Sequence, residues 1–134
     1  CSYIFAGHLS ARMPKTILVV DDDPLYLDLV SDIFAAQEIE VITASNGAVA
    51  LSTLTTATPS LIISDFDMPE MNGSELHSRV LENPKTKDIP FVFMTGSITD
   101  HALEQHIREH TIPVFSKANL VSELLRISRE LRVS

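Results

Sequence analysis

Five short apolar runs, each followed by a stretch of helical periodicity, constrain the fold of this chain more than any other feature. The runs are Thr16–Val20, Glu40–Ala44, Leu61–Ser64, Phe91–Thr95 and Pro113–Ser116. Four of them are nearly continuous Ile, Leu, Val and Phe rather than alternating, which suits strands buried on both faces of a parallel sheet. Between them, Tyr26, Leu29, Val30, Ile33 and Phe34 recur at the spacing of one buried helical face. Pro24 sits where a first helical turn tolerates proline, with Asp23 before it as a candidate N-cap. Ala50, Leu51 and Leu54 give a second helix after Asn46-Gly47. Leu76, Val80 and Leu81 give a third after Gly73, and Leu120, Leu124, Ile127 and Leu131 give the last. The segment 98–110 is the weakest helix, with only Ala102, Leu103 and Ile107 clearly apolar, and a weakly anchored helix is suited to motion. All seven prolines fall at proposed boundaries or loops. Strict strand–helix alternation predicts an α/β fold, with helices on both faces of a parallel sheet and right-handed crossovers.

A length of 134 residues fits a single domain, and 45% hydrophobic residues excludes wholesale disorder. The 18 acidic residues exceed the 10 basic ones, for a formal charge of −8. That balance argues against direct binding to nucleic acid or to an anionic membrane, both of which need concentrated Lys and Arg. The single cysteine, Cys1, excludes a disulfide framework and a cysteine-based zinc site, and it suits a reducing, cytoplasmic compartment. No apolar run is long enough to span a membrane. Residues 1–12 differ in character from the rest and lack the basic region and apolar core of a signal peptide. They read as a leader: a remnant of cloning, an upstream start, or an extension packed on the domain through Tyr3, Ile4 and Phe5. The domain itself is expected over 13–134, with no effector domain attached.

Ligand sites in such sheets lie at the carboxyl ends of the strands. After the first strand come Asp21, Asp22 and Asp23, and after the third come Asp65, Phe66 and Asp67. The fourth ends at Thr95-Gly96, and the fifth is followed by Lys117. Aspartates, a hydroxyl and a lysine thus converge on one edge. Grouped carboxylates repel one another unless a hard divalent cation neutralises them, and Mg²⁺ takes a few carboxylates plus water. A carboxylate beside such a cation can attack phosphorus to give an acyl phosphate. The transferring group then needs a metal, a cationic side chain and hydrogen-bond donors around it. Each residue also has a plainer role: Asp21–Asp23 could cap a helix, Asp65 and Asp67 could be loop residues, Thr95 could end a strand, and Lys117 could be a solvated lysine.

The segments ILVVDDDP (17–24), LIISDFDMPEMNG (61–73), VFMTGS (92–97) and VFSKA (114–118) resemble the receiver domain of two-component response regulators. The resemblance covers essentially residues 14–132, in order and at similar spacing. It implies a flavodoxin-like doubly wound sheet of five strands in order 2-1-3-4-5. It also implies that Asp65 is the phosphoacceptor, that Asp22 ligates Mg²⁺ (or Mn²⁺) directly and Asp21 through water, and that the backbone carbonyl of Asp67 completes the protein ligands. Thr95 matches the hydroxyl that reorients toward the phosphoryl oxygen, and Lys117 matches the lysine that pairs with Asp65. The implied partners are a histidine kinase or histidine phosphotransfer protein, a downstream protein target, and a second copy of the chain.

Three positions depart from the pattern. Ala118 stands where proline with a cis bond is usual, so a trans bond, a shifted loop and a less well fixed Lys117 are expected. Val114 occupies the place of the switch aromatic, which puts the Thr–aromatic coupling in doubt, while Phe115 should point to the opposite side of the strand. Asp67 adds a charge that could favour the metal, disfavour the phosphoryl group or move the hydrolytic water. Two rival readings follow. One is a degenerate receiver that acts as a phosphorylation-independent interaction module. The other is a haloacid-dehalogenase-like phosphotransferase built on Asp65-Phe66-Asp67. His101, His106 and His110 lie on or near the weak fourth helix. His106 and His110 have the i, i+4 spacing of a metal-binding pair, but a solvated face is the expectation.

Overall fold

The apolar runs become five parallel strands: β1 (Thr16–Val20), β2 (Glu40–Ala44), β3 (Leu61–Asp65), β4 (Phe91–Thr95) and β5 (Val114–Ser116). The computed structural model describes residues 15–96 and 101–133, so the expected leader at 1–12 lies outside the described residues. The helices are α1 (Pro24–Ala36), α2 (Gly47–Thr53), α3 (Gly73–Glu82), α4 (His101–His110) and α5 (Leu120–Val133), with a 3₁₀ turn at Lys117–Asn119. The strand order is β2-β1-β3-β4-β5, the doubly wound arrangement that the resemblance implies. β1, β3 and β4 are almost wholly buried, as central strands must be, whereas β2 and β5 are the half-exposed edges.

Two apolar layers sandwich the sheet. On one side Val30 and Phe34 of α1 and Leu120, Leu124, Ile127 and Leu131 of α5 cover Ile17, Val19, Leu61, Ile63, Val92 and Met94. On the other, Ala50 and Leu54 with Leu76 and Val80 cover Leu18, Val20, Ile62, Phe91 and Phe93. Two positions differ from the expected faces. Leu29 is 41% exposed, and Leu27 packs toward the core in its place. Leu81 is likewise exposed, at the outer edge of α3.

Helix entry points are fixed by side chains at the strand ends. Asp23 caps α1, its carboxylate accepting from the Leu25 amide at 2.9 Å, with Pro24 in the first turn. Asn46 caps α2 and Asn72 caps α3 through amides three residues on. Gly73 opens α3 where the chain must pass against the end of β3. A Cβ there would lie 2.8 Å from the Asp65 carbonyl oxygen and the Phe66 Cα. The close approach lets the Gly73 amide donate to the Phe66 carbonyl at 2.7 Å, which closes the loop after β3. Met68 is buried under that loop. No helix among the described residues is long and apolar enough to cross a membrane.

Candidate functional site: an acidic cluster with one lysine

The parallel register brings the ends of β1 and β3 side by side, since Val20 pairs with Ser64. Asp21 and Asp22 therefore leave the sheet next to Asp65. Carboxylate oxygens of Asp21, Asp22 and Asp65 all lie within 4.8 Å of one another. Asp21 is fully buried and Asp65 is 5% exposed, while Asp22 faces solvent. One strand over, Thr95 is buried at the end of β4 and paired in register with Ser116 of β5.

Lys117 enters from the 3₁₀ turn after β5. Its Nζ lies 2.9 Å from Asp21 Oδ2 and 3.5 Å from Asp65 Oδ1, so the lysine sits closer to the first aspartate than to the expected partner. The Nζ also lies 4.0 Å above the centre of the Tyr26 ring on α1, a cation–π contact. Tyr26 was legible only as a core residue of α1. Its place in the first turn after the acidic run is the signal that it also borders the site.

No cis peptide bond occurs among the described residues, as expected without proline. The Ala118 amide, which a proline would lack, donates to Ser116 Oγ at 3.1 Å and shapes the turn. Lys117 is left with an 11% exposed side chain and three neighbours. Phe115 packs into the α1/α5 layer and Val114 against the opposite layer, so the two point to opposite sides as expected.

Charge crowding sets the electrostatics. Burial, then the charges of Asp21 and Asp22, push the Asp65 carboxyl up to about 7 from its ordinary 3.8, although the Lys117 ammonium pulls it down. Burial also raises Asp21, against the Asp23 amide at 2.9 Å and Lys117, which both lower it. Burial alone would lower Lys117, but the Asp21 hydrogen bond and the charges of Asp65 and Asp21 together hold it above its ordinary value. Three carboxylates thus face one ammonium, an imbalance that a divalent cation would remove. The buried Oδ2 of Asp21 is ion-paired with Lys117 at 2.9 Å yet lacks a well-aligned hydrogen bond. Hard oxygen donors around residual negative charge fit a hard cation such as Mg²⁺. Asp67 is exposed and its carboxylate is not among the clustered ones.

One expectation about histidines does not hold. His106 is buried rather than solvated, because it packs against His77 of α3 and the ring of Phe93. His110 is exposed, and the side chain of His101 lies outside the described residues. His77 itself went unnoticed, though it stands on the buried face marked by Gly73, Leu76 and Val80.

Residues 17–129 match the response regulator receiver domain family. An uncharacterised 14.6 kDa protein from the sodA1 3′ region of Leptolyngbya boryana is 35% identical over 114 residues, covering 85% of this chain and 87% of that one. An uncharacterised response regulatory protein of Vibrio cholerae is 30% identical, covering 87% of this chain and 46% of its own length. Other relatives are longer still: the chain spans 18% of a probable cyclic di-GMP phosphodiesterase of Vibrio cholerae. Among solved structures, the chemotaxis protein CheY4 of Vibrio cholerae superposes with a TM-score of 0.74 at 28% identity, covering 85% of this chain and 98% of that one. The doubly wound sheet thus carries grouped aspartates and a lysine at its carboxyl edge. The chain belongs to the response regulator receiver domain family and is a receiver domain of a two-component system. That membership leaves the haloacid-dehalogenase-like reading without support.

Proposed function

We propose that Asp65 accepts a phosphoryl group from a phosphohistidine of a partner histidine kinase or histidine phosphotransfer protein. The observation that carries this is the cluster itself: Asp65 buried between two further aspartates and the Lys117 ammonium, 3.5 Å away. An Asp65 oxygen attacks phosphorus, the P–N bond breaks, and the imidazole leaves with the electron pair and takes up a proton. The product is an acyl phosphate. When bound, Mg²⁺ would neutralise charge on the transferring oxygens. Asp21, Asp22 and Asp65, with the Asp67 carbonyl, would hold it, and Mn²⁺ satisfies the same donors. Asp22 is the exposed member and suits direct ligation, whereas Asp21 is tied to Lys117 and the Asp23 amide and suits a role through water. Lys117 favours the ionised form of Asp65 against burial and then meets the new phosphoryl charge. Thr95, at the end of the neighbouring strand, supplies a hydroxyl to that charge, and its movement shifts α4 and β5 between two arrangements.

Val114 lets Thr95 move without coupling it to an aromatic ring. The output is therefore protein–protein binding, to a downstream target or to a second copy, through the rearranged α4 and β5 surface. The receiver domain is taken as residues 13–134, acting in the cytoplasm. The ion-paired Lys117 and the intact acidic cluster favour this reading over a degenerate interaction module. Incubation with acetyl phosphate and Mg²⁺ tests it. Wild type should gain hydroxylamine-labile phosphate, and chelation or Lys117→Ala should suppress it. Labelling that is indifferent to both would sink the reading.

A further inference from the structure

A second cluster of potential ligands lies on the face of α3 and α4, away from the aspartates. His77 Nδ1 of α3 lies 2.9 Å from His106 Nε2 of α4. His110 follows one turn on, its ring centroid 5.2 Å from that of His77 and 4.4 Å from that of His106. One ring nitrogen from each lies within 4.8 Å of the others. We propose that His77, His106 and His110 form a binding site for a divalent transition metal of the Zn²⁺ class, which clips α4 to α3.

Three features carry the proposal. The first is spacing. At Zn–N bonds of about 2.0–2.1 Å, two tetrahedral ligands stand about 3.3 Å apart. The hydrogen-bonded pair at 2.9 Å need only part slightly, and His110 need draw in by no more than about 1.5 Å. The second is donor chemistry. Imidazole selects Zn²⁺, Cu²⁺ or Ni²⁺ over Mg²⁺, so this site and the aspartates would not compete for one ion. Ligation needs neutral rings, and the contact of His77 Nδ1 with His106 Nε2 requires at least one of the two to be so. The proton now shared between His77 Nδ1 and His106 Nε2 moves to the far nitrogen of its ring as the lone pair turns to the metal. The third is the shell. Phe91 and Phe93 floor the site, with ring centroids 4.7 Å and 6.1 Å from that of His77. His77 and His110, with Phe91, also line an open cleft of about 680 Å³. The cleft leaves room for water in the fourth position, as in three-histidine zinc sites.

The clip would matter for α4. Of its residues from Glu104 onward, only His106 is buried and only Ile107 is half-buried, so this part of the helix has few other anchors. Metal would add a cross-link between this part of α4 and α3 where His106 meets His77.

Titration of the full chain with Zn²⁺, in saturating Mg²⁺ to occupy the aspartates, tests the site. One Zn²⁺ should bind, and Co²⁺ in its place should give the intense visible bands of a tetrahedral nitrogen site. His110 is exposed, so His110→Ala leaves the fold intact. It removes a direct ligand and should weaken Zn²⁺ by more than the roughly 10–100-fold that loss of an outer-shell partner costs. Asp22→Ala should leave Zn²⁺ binding unchanged. Amide exchange along α4 should slow with Zn²⁺ in wild type and not in His110→Ala. Absence of binding, equal affinity in His110→Ala, or loss of affinity in Asp22→Ala would each overturn the proposal.

Discussion

Asp21, Asp22 and Asp23 are chemically alike and adjacent, yet each has a different task. Asp21 is buried against Lys117, Asp22 faces solvent beside the cluster, and Asp23 turns away to cap α1. Asp23→Ala should therefore cost about 1 kcal/mol of stability, the usual worth of an N-cap, and leave Mg²⁺ affinity unchanged in a titration. Lys117→Met should raise the Asp65 carboxyl beyond about 7, because the ammonium is the charge that pulls it down. A carbon-13 titration of that carboxyl reads the shift directly, and an unmoved value would contradict the electrostatics described above. The sequence marks Asp23 as the cap before Pro24, and the resemblance assigns Asp21 and Asp22 to the acidic pair. The ion pair of Asp21 with Lys117 was not legible, because it depends on how the turn after β5 meets the end of β1.

The elements show where patterns in the chain are informative. Nearly continuous runs of Ile, Leu, Val and Phe located the buried strands β1, β3 and β4, because burial on both faces leaves no polar alternation. The edge position of β2 was not legible from its own residues, since Glu40 and Thr43 fit an exposed face in more than one order. His77 was missed for a related reason. A histidine inside a helical period reads as polar, yet Gly73 one turn before it and Val80 three residues after it are both buried. His106 was misjudged because nothing local shows that α3 lies opposite it. At the start of α3, Gly73 admits no side chain without moving the end of β3. Gly73→Ala should destabilise the chain by about 1–3 kcal/mol, as overpacking does, measured by urea unfolding. A cost near zero would mean that the loop and Asp65 shift freely.

For the whole molecule, the formal charge of −8 is partly local. Asp21, Asp22 and Asp65 concentrate it at one sheet edge, and that concentration makes stability depend on pH and metal. Asp65 is held at about 7 against an ordinary 3.8. Between those values the folded chain binds the extra proton, so this group's stabilisation is full below 3.8 and is lost as pH rises through 7. Asp65→Asn carries no such charge. Without metal, its stability relative to wild type should grow by roughly 1–3 kcal/mol as pH rises through that window. A pH-independent difference in urea midpoints would contradict this. Mg²⁺ competes with the proton, so it should raise the melting temperature more at pH 8 than at pH 5 in wild type. At a hundredfold excess over Kd the gain is about 2.7 kcal/mol, and Asp22→Ala should lose most of it.

The claim on which the functional account turns is that Asp65, among five aspartates at two neighbouring strand ends, is the residue that takes the phosphoryl group. The most direct measurement is its location. The chain is phosphorylated by a small phosphodonor with Mg²⁺, the acyl phosphate is reduced with borohydride, and the modified peptide is mapped by mass spectrometry. The expected result is homoserine at position 65 alone, with no modification in Asp65→Asn. Modification at Asp21, Asp22 or Asp67, or equal modification in Asp65→Asn, would contradict it.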